Sequence, residues 1–365
     1  MAFGSTPASQ GTLSNSVAFP FEDLTWERTR TYDIGFEMSA WNGLLGVEFD
    51  YFYKYTFNIL QSIGGIYPPS LGGHYPAYIN DGTFDNRGFE LVLRHRNRIG
   101  KFSYGVTGNL TFARNRILSK QQADNTLPWK NVLGSSLGAL WGLKSDGLYQ
   151  TEEELANAPK PIGVQPRLGD IKYVDINGDG AITADDYVRI ARSRMPEMMF
   201  SLSLDADYKG FDLSVQLQGA ALCDRMLQAT WNNGVADQTP LTVPWYGNYD
   251  NAPLYLVEGA WRPDNTNAEY PRLSVTKSSA GNNAQVSDFW KRNGAYLRLK
   301  NVVLGYTFPK RWMNRIGIDN LRIYFSGNNL LTATEFRWID PESANVPTGY
   351  YPQQRTFTFG VDLSF

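Results

Sequence analysis

The residues best spaced to do chemistry are Asp175-Ile176-Asn177-Gly178-Asp179-Gly180-Ala181-Ile182-Thr183, followed by Asp186. Counted from Asp175, side-chain oxygens fall at loop positions 1, 3 and 5, glycine at 6, the Ala181 carbonyl at 7, Thr183 at 9 and an acid at 12, which is the spacing of a calcium loop. A hard cation needs several oxygens on a sharply turned backbone, and Gly180 permits the turn. The expectation is a structural Ca2+ held by Asp175, Asn177, Asp179, Ala181, Thr183 and Asp186 in a loop spanning 170 to 190. The competing reading is an Asx-rich turn that holds itself together without metal. Helices of a paired EF-hand are not evident: Gly169-Asp170 precede the motif, and only 184 to 192 could form a short following helix.

Other reactive sets fail on order or supply. Gly134-Ser135-Ser136-Leu137-Gly138 has the form of a nucleophile elbow, but in that fold the histidine follows the serine, and both histidines, His74 and His95, precede Ser136. Glu152, Glu153 and Glu154 are adjacent carboxylates, which usually make a solvated face. The single cysteine, Cys223, forbids an internal disulfide or a thiolate cluster. The chain therefore reads as a non-enzyme. Its remaining binding candidates are the aromatics Trp129, Trp231, Trp245 and Trp261, with Tyr246 and Tyr249, whose flat rings can stack on sugars or pack on peptide side chains.

The elements that must carry these residues are strands. Polar and apolar residues alternate in nine stretches, the mark of a strand with one apolar face. They contain Tyr32 to Ser39, Val47 to Thr56, Phe89 to Leu93, Phe102 to Phe112, Leu202 to Tyr208, Phe211 to Gln218, Val302 to Phe308, Leu321 to Phe325 and Phe357 to Phe365. Phe52 is the one intruder on a polar face. Connections alternate between short turns, at Asn42-Gly43, Arg98 to Gly100, Lys209-Gly210 and 309 to 320, and long segments at 58 to 85, 114 to 196, 221 to 293 and 333 to 353. An outer-membrane barrel has this asymmetry, with short periplasmic turns and long extracellular loops. Strands of about 10 residues also match the tilted span of a bilayer.

Composition agrees. Aromatics make up 14% of the 365 residues and charged residues only 19%, while the mean hydropathy is −0.37. No apolar run is long enough for a spanning helix, and a net charge of −2 argues against nucleic acid as a partner. The N-terminus shows no secretory signal. Since a bacterial single-chain barrel is expected to have an even strand number, nine strands predict the C-terminal part of a larger barrel, with residues 1 to 29 as the tail of an extracellular loop and 30 to 365 as barrel.

The stretches LTWERTRTYDIGFE, FDNRGFELVLRHRN, LGSSLGALWGLKSDGLYQ, GDIKYVDINGDGAITADD, WRPDNTNAEYPRL, FWKRNGAYLRLKNVVLGYTFP, SGNNLLT and YYPQQRTFTFGVDLSF closely resemble the C-terminal half of the barrel in SusC/RagA-type TonB-dependent outer-membrane transporters. The resemblance implies an all-β antiparallel transmembrane β-barrel of the 22-stranded type in the cell outer membrane. It also implies energy coupling to the TonB complex through an N-terminal part, and a SusD-like lipoprotein that captures glycans or peptides. Phe365 looks like the terminal aromatic by which the barrel-assembly machinery recognises its clients. The other reading is a calcium-stabilised outer-membrane surface or adhesion protein, or a non-functional barrel fragment.

Overall fold

A computed structural model describes residues 24–62, 78–123, 125–227, 254–273, 281–337, 340–342 and 353–365. Its main feature is one nine-stranded sheet: β1 (Arg28–Ala40), β2 (Leu45–Ser62), β3 (Tyr78–Ile99), β4 (Phe102–Ser119), β5 (Met198–Tyr208), β6 (Phe211–Ala221), β7 (Tyr296–Thr307), β8 (Asn320–Thr334) and β9 (Thr356–Ser364). Each strand neighbours the next in chain order. From β4 to β9 each strand pairs antiparallel with the next. The nine alternating stretches are these nine strands.

The strands are longer than their alternation suggests. β2 and β4 have 18 residues and β3 has 22, so residues 58 to 62 and 78 to 85 of the expected connection belong to strands. Alternation marks only the part of a strand with one apolar face. Beyond it, Asn80-Asp81-Gly82-Thr83 stays in the ladder through backbone bonds that any sequence can make.

The polarity of the sheet is inverted relative to a water-soluble protein. Ile34, Phe359 and Val361 are 75%, 82% and 65% exposed, as are many of their neighbours on the apolar face. A contiguous exposed apolar face marks contact with another apolar phase, here lipid. The opposite face carries the ion pairs. Arg322 on β8 grips Asp212 on β6 with Nε at 3.0 Å and Nη2 at 2.6 Å, and reaches Asp362 on β9 at 3.2 Å. To do so it passes over Gly305 of the intervening β7, where a Cβ would lie 2.4 Å from Asp212 Oδ1 and 2.6 Å from Arg322 Nη2. Phe52 finds room on the polar face in the same way: its ring tip would be 2.7 Å from a Cβ on Gly88.

One short turn is set by backbone sign. Lys209 and Gly210 both have positive φ, 49° and 92°, between the paired Tyr208 and Phe211, as a two-residue hairpin loop that follows the strand twist requires. Near the other end of β7 the register shifts between Leu299 and Asn301. This bulge puts Tyr296 and Arg298 on the same side as Asn301 and Val303.

The chain forms two compact units. One is Met1–Tyr32, Tyr53–Arg87 and Asn115–Ser135; the other is Asp33–Phe52, Gly88–Arg114 and Ser136–Phe365. In the first, Asn80 ties neighbouring segments together. It donates to the carbonyls of Thr25 and Asn58 and accepts from the Thr25 amide. The second holds the hydrophobic core, which lies in the long connections rather than in the sheet: Leu143, Leu148, Ile171, Tyr173, Ile182, Leu227, Trp261, Tyr270, Trp290 and Phe336.

Candidate functional site

The 170 to 190 loop is held by its own hydrogen bonds. Asp175 accepts from the amides of Gly178 at 2.6 Å and Gly180 at 2.8 Å. Asn177 Oδ1 accepts from the Asp179 amide, and Asp179 Oδ1 from the Ala181 amide. Asp186 is fully buried and accepts from the amides of Ile176, Asn177 and Thr183. With Thr183 it forms a capping box on the one-turn helix 184 to 186. The Gly180 amide, with help from Gly178, Asp179 and Asp186, holds the Asp175 carboxyl below its ordinary value. Among the described residues no three carboxylate, imidazole or thiolate groups converge on one metal position. An ion here would have to draw Asp175, Asp179 and Asp186 together while their oxygens keep, or give up, these amide partners.

The other sequence candidates fall into structural places. Glu152 to Glu154 open helix α1 (Glu152–Asn157); Thr151 caps it by accepting from the Glu154 amide, and Glu154 accepts from the Gln150 amide at 2.8 Å. That bond above all, with Lys172, lowers the Glu154 carboxyl. The acidic run is thus a helix-start signal. Ser136 donates to Glu197 at 3.4 Å, and Glu197 in turn accepts from Arg114. His95 faces Tyr104 at 3.0 Å. Cys223 is buried, and burial pushes its thiol up, away from a reactive thiolate.

Of the tryptophans, Trp231 and Trp245 lie outside the described residues, as do Tyr246, Tyr249 and His74. Trp129 is half-buried in the single turn Pro128–Lys130 of the first unit. Trp261 belongs to the second unit and is only 5% exposed. Its Nε1 donates to Gln150 Oε1 at 3.1 Å, and its ring packs so closely on Gly169 that a Cβ there would lie 2.3 Å away. Phe365 follows β9 on its apolar face and is 84% exposed.

Three features escaped the sequence reading. Asn282 and Asn283, both fully buried, bind the backbone of Ile171 on both sides as a neighbouring strand would: Asn283 Oδ1 accepts from the Ile171 amide and Asn282 Nδ2 donates to its carbonyl, each at 2.9 Å. Tyr173 and Trp290 donate to the carbonyls of Asn282 and Asn283. The two longest connections are thereby sewn into one core. Secondly, Arg298 on β7, 1% exposed, donates to Glu342 at 2.6 Å, Asp340 at 2.5 Å and Gln353 at 3.0 Å. It pins both described ends of the β8–β9 connection to the polar face. The third is Arg272, whose backbone is anchored to Gly169 while its side chain lines a cleft beside Trp261.

A long antiparallel meander with an exposed apolar face, an ion-paired polar face and a core built of its connections defines a segment of a large outer-membrane β-barrel. The chain belongs to the family of TonB dependent receptor-like β-barrels, whose model matches residues 2–330. It is 31% identical over 373 aligned positions to the TonB-dependent receptor P26 of Formosa agariphila, covering 94% of this chain and 35% of that protein. To the TonB-dependent receptor SusC of Bacteroides thetaiotaomicron it is 24% identical, covering 94% and 32%. The fold is similar to a solved structure of the RagAB peptide transporter, with a TM-score of 0.66 at 23% identity, covering 100% of this chain and 38% of that one. The chain spans about a third of the length of these relatives. Its place is the outer membrane.

Proposed function

We propose that this chain is the C-terminal barrel portion of a TonB-dependent importer that takes glycans or other oligomeric nutrients across the outer membrane in company with a SusD-like lipoprotein. The observation that carries this reading is the inverted polarity of the sheet, with apolar side chains such as Ile34 and Phe359 outward and the Arg322 pairs inward. Such a wall suits a water-filled passage through lipid. Membership in the receptor family and likeness to proteins named SusC and RagAB support it. In this reading the polar face lines the passage, the long connections form its outer lid, and Phe365 serves the barrel-assembly machinery.

The test is nutrient uptake by cells carrying the protein. Saturable uptake that needs TonB and vanishes when this segment is deleted is the expected result. A protein that reaches the surface and supports no energised uptake would instead fit a calcium-stabilised surface or adhesion protein.

The loop at 170 to 190 enters the proposal as a structural calcium site, on the strength of its oxygen spacing. Chelation is expected to loosen this loop and leave the strands folded. If calorimetric titration shows no binding with the loop intact, or Asp175→Ala and Asp179→Ala leave binding unchanged, the hydrogen bonds alone hold the loop.

A further inference from the structure

The cleft beside Trp261 has a volume of about 250 Å³, below the usual range for drug-sized ligands, so it fits one residue or one small group. Its walls include Val257, Pro263 and Leu273, which offer no side-chain partner to hydroxyl groups. Trp261 contributes only apolar surface, because its Nε1 is already engaged by Gln150. Two guanidinium groups complete the lining. Arg262 is committed: it donates to the Val257 carbonyl at 2.7 Å and to Asp264 at 3.3 Å. Arg272 is held through its backbone, with its amide on the Gly169 carbonyl at 2.7 Å and its carbonyl accepting from Asn283. Among the described residues, its guanidinium makes no hydrogen bond or ion pair.

An arginine anchored through its backbone, whose guanidinium has no partner among the described residues, beside apolar walls suits a planar anion with an apolar body. We infer that this cleft binds a carboxylate carried on a compact apolar group, as at the free C-terminal residue of a peptide, with Arg272 taking the carboxylate and Val257, Pro263 and Leu273 the side chain. A uronate would bring a carboxylate but leave its hydroxyls without partners on these walls. In its use, though not in its chemistry, the inference rests on the importer reading: the cleft would be a recognition point on the outer lid.

The experiment is calorimetric titration of the outer-membrane protein carrying this chain, purified in detergent, with N-acetyl-L-leucine, N-acetyl-L-leucinamide and glucuronate. N-acetyl-L-leucine is expected to bind saturably, the other two at least about tenfold more weakly, and Arg272→Gln to weaken the first by at least about tenfold. Leu273→Trp, which fills the cleft and leaves the guanidinium in place, is expected to abolish binding and serves if Arg272→Gln does not fold. No saturable binding to folded protein, equal binding of the amide or of glucuronate, or full binding by a folded Arg272→Gln variant would each overturn the inference. Because titration needs no energised transport, loss of binding with uptake intact removes only this site, whereas binding without TonB-dependent uptake removes the importer reading.

Discussion

Two neighbouring aspartates show how much chemistry a loop motif leaves open. Asp175 is half-buried and Asp186 fully buried, and both act as acceptors for backbone amides. The Asp175 carboxyl is lowered in the folded chain, so its contribution is present above the ordinary carboxylate value and is lost as pH falls through the lowered one. Acidification through that window is expected to shift the amide resonances of Gly178 and Gly180 before those of the strands; resonances that move only with global unfolding would refute it. Trp261 raises a different question. Its burial predicts that Trp261→Ala destabilises the outer core by about 3–5 kcal/mol through the cavity it leaves, measured as lowered resistance of that core to protease. The residue types were legible in the sequence, but their partners were not. Nothing local distinguishes the buried pair Asn282-Asn283 from any polar turn, because their partner Ile171 is more than a hundred positions away.

At the scale of elements, the strands were readable because lipid enforces period two wherever it touches them. The sequence placed Leu213 and Ser214 on opposite faces, and the ladder pairs them with Ala206 and Asp205, again one apolar and one polar. Leu213→Arg is therefore expected to destabilise the barrel by up to about 4 kcal/mol, depending on depth, with Ser214→Arg close to neutral. Equal effects in a denaturant titration in lipid would mean that the faces are assigned wrongly. Where lipid stops, the pattern stops too, which is why β2 to β4 outran the alternating stretches. The bulge at Lys300 and the crossing of Arg322 over Gly305 were equally hidden, since both are relations between strands. The short elements of the connections, many only two to four residues long, carry no period to read.

On the scale of the whole molecule, the sheet and the core answer to different solvents. Strands β2 to β8 have a paired neighbour on each side, and the sheet offers its apolar side chains outward, so its stability depends on a surrounding apolar phase. The connections carry a core of their own, with buried tyrosines, tryptophans and paired asparagines. Pieces that far apart in sequence reach one another only because the strands between them bring them to a common place.

The stitching of Ile171 to Asn282 and Asn283, and of Ser145 to Asp288 across 143 positions, sets an order of events. Neither connection can complete its interior until β5 and β6 have zipped, because that hairpin separates the two halves of the core. Contacts of such long sequence separation form late and slowly. Both connections must therefore travel to the membrane unfinished, with their tryptophans and tyrosines uncovered, and close into a surface domain only after the wall beneath them stands.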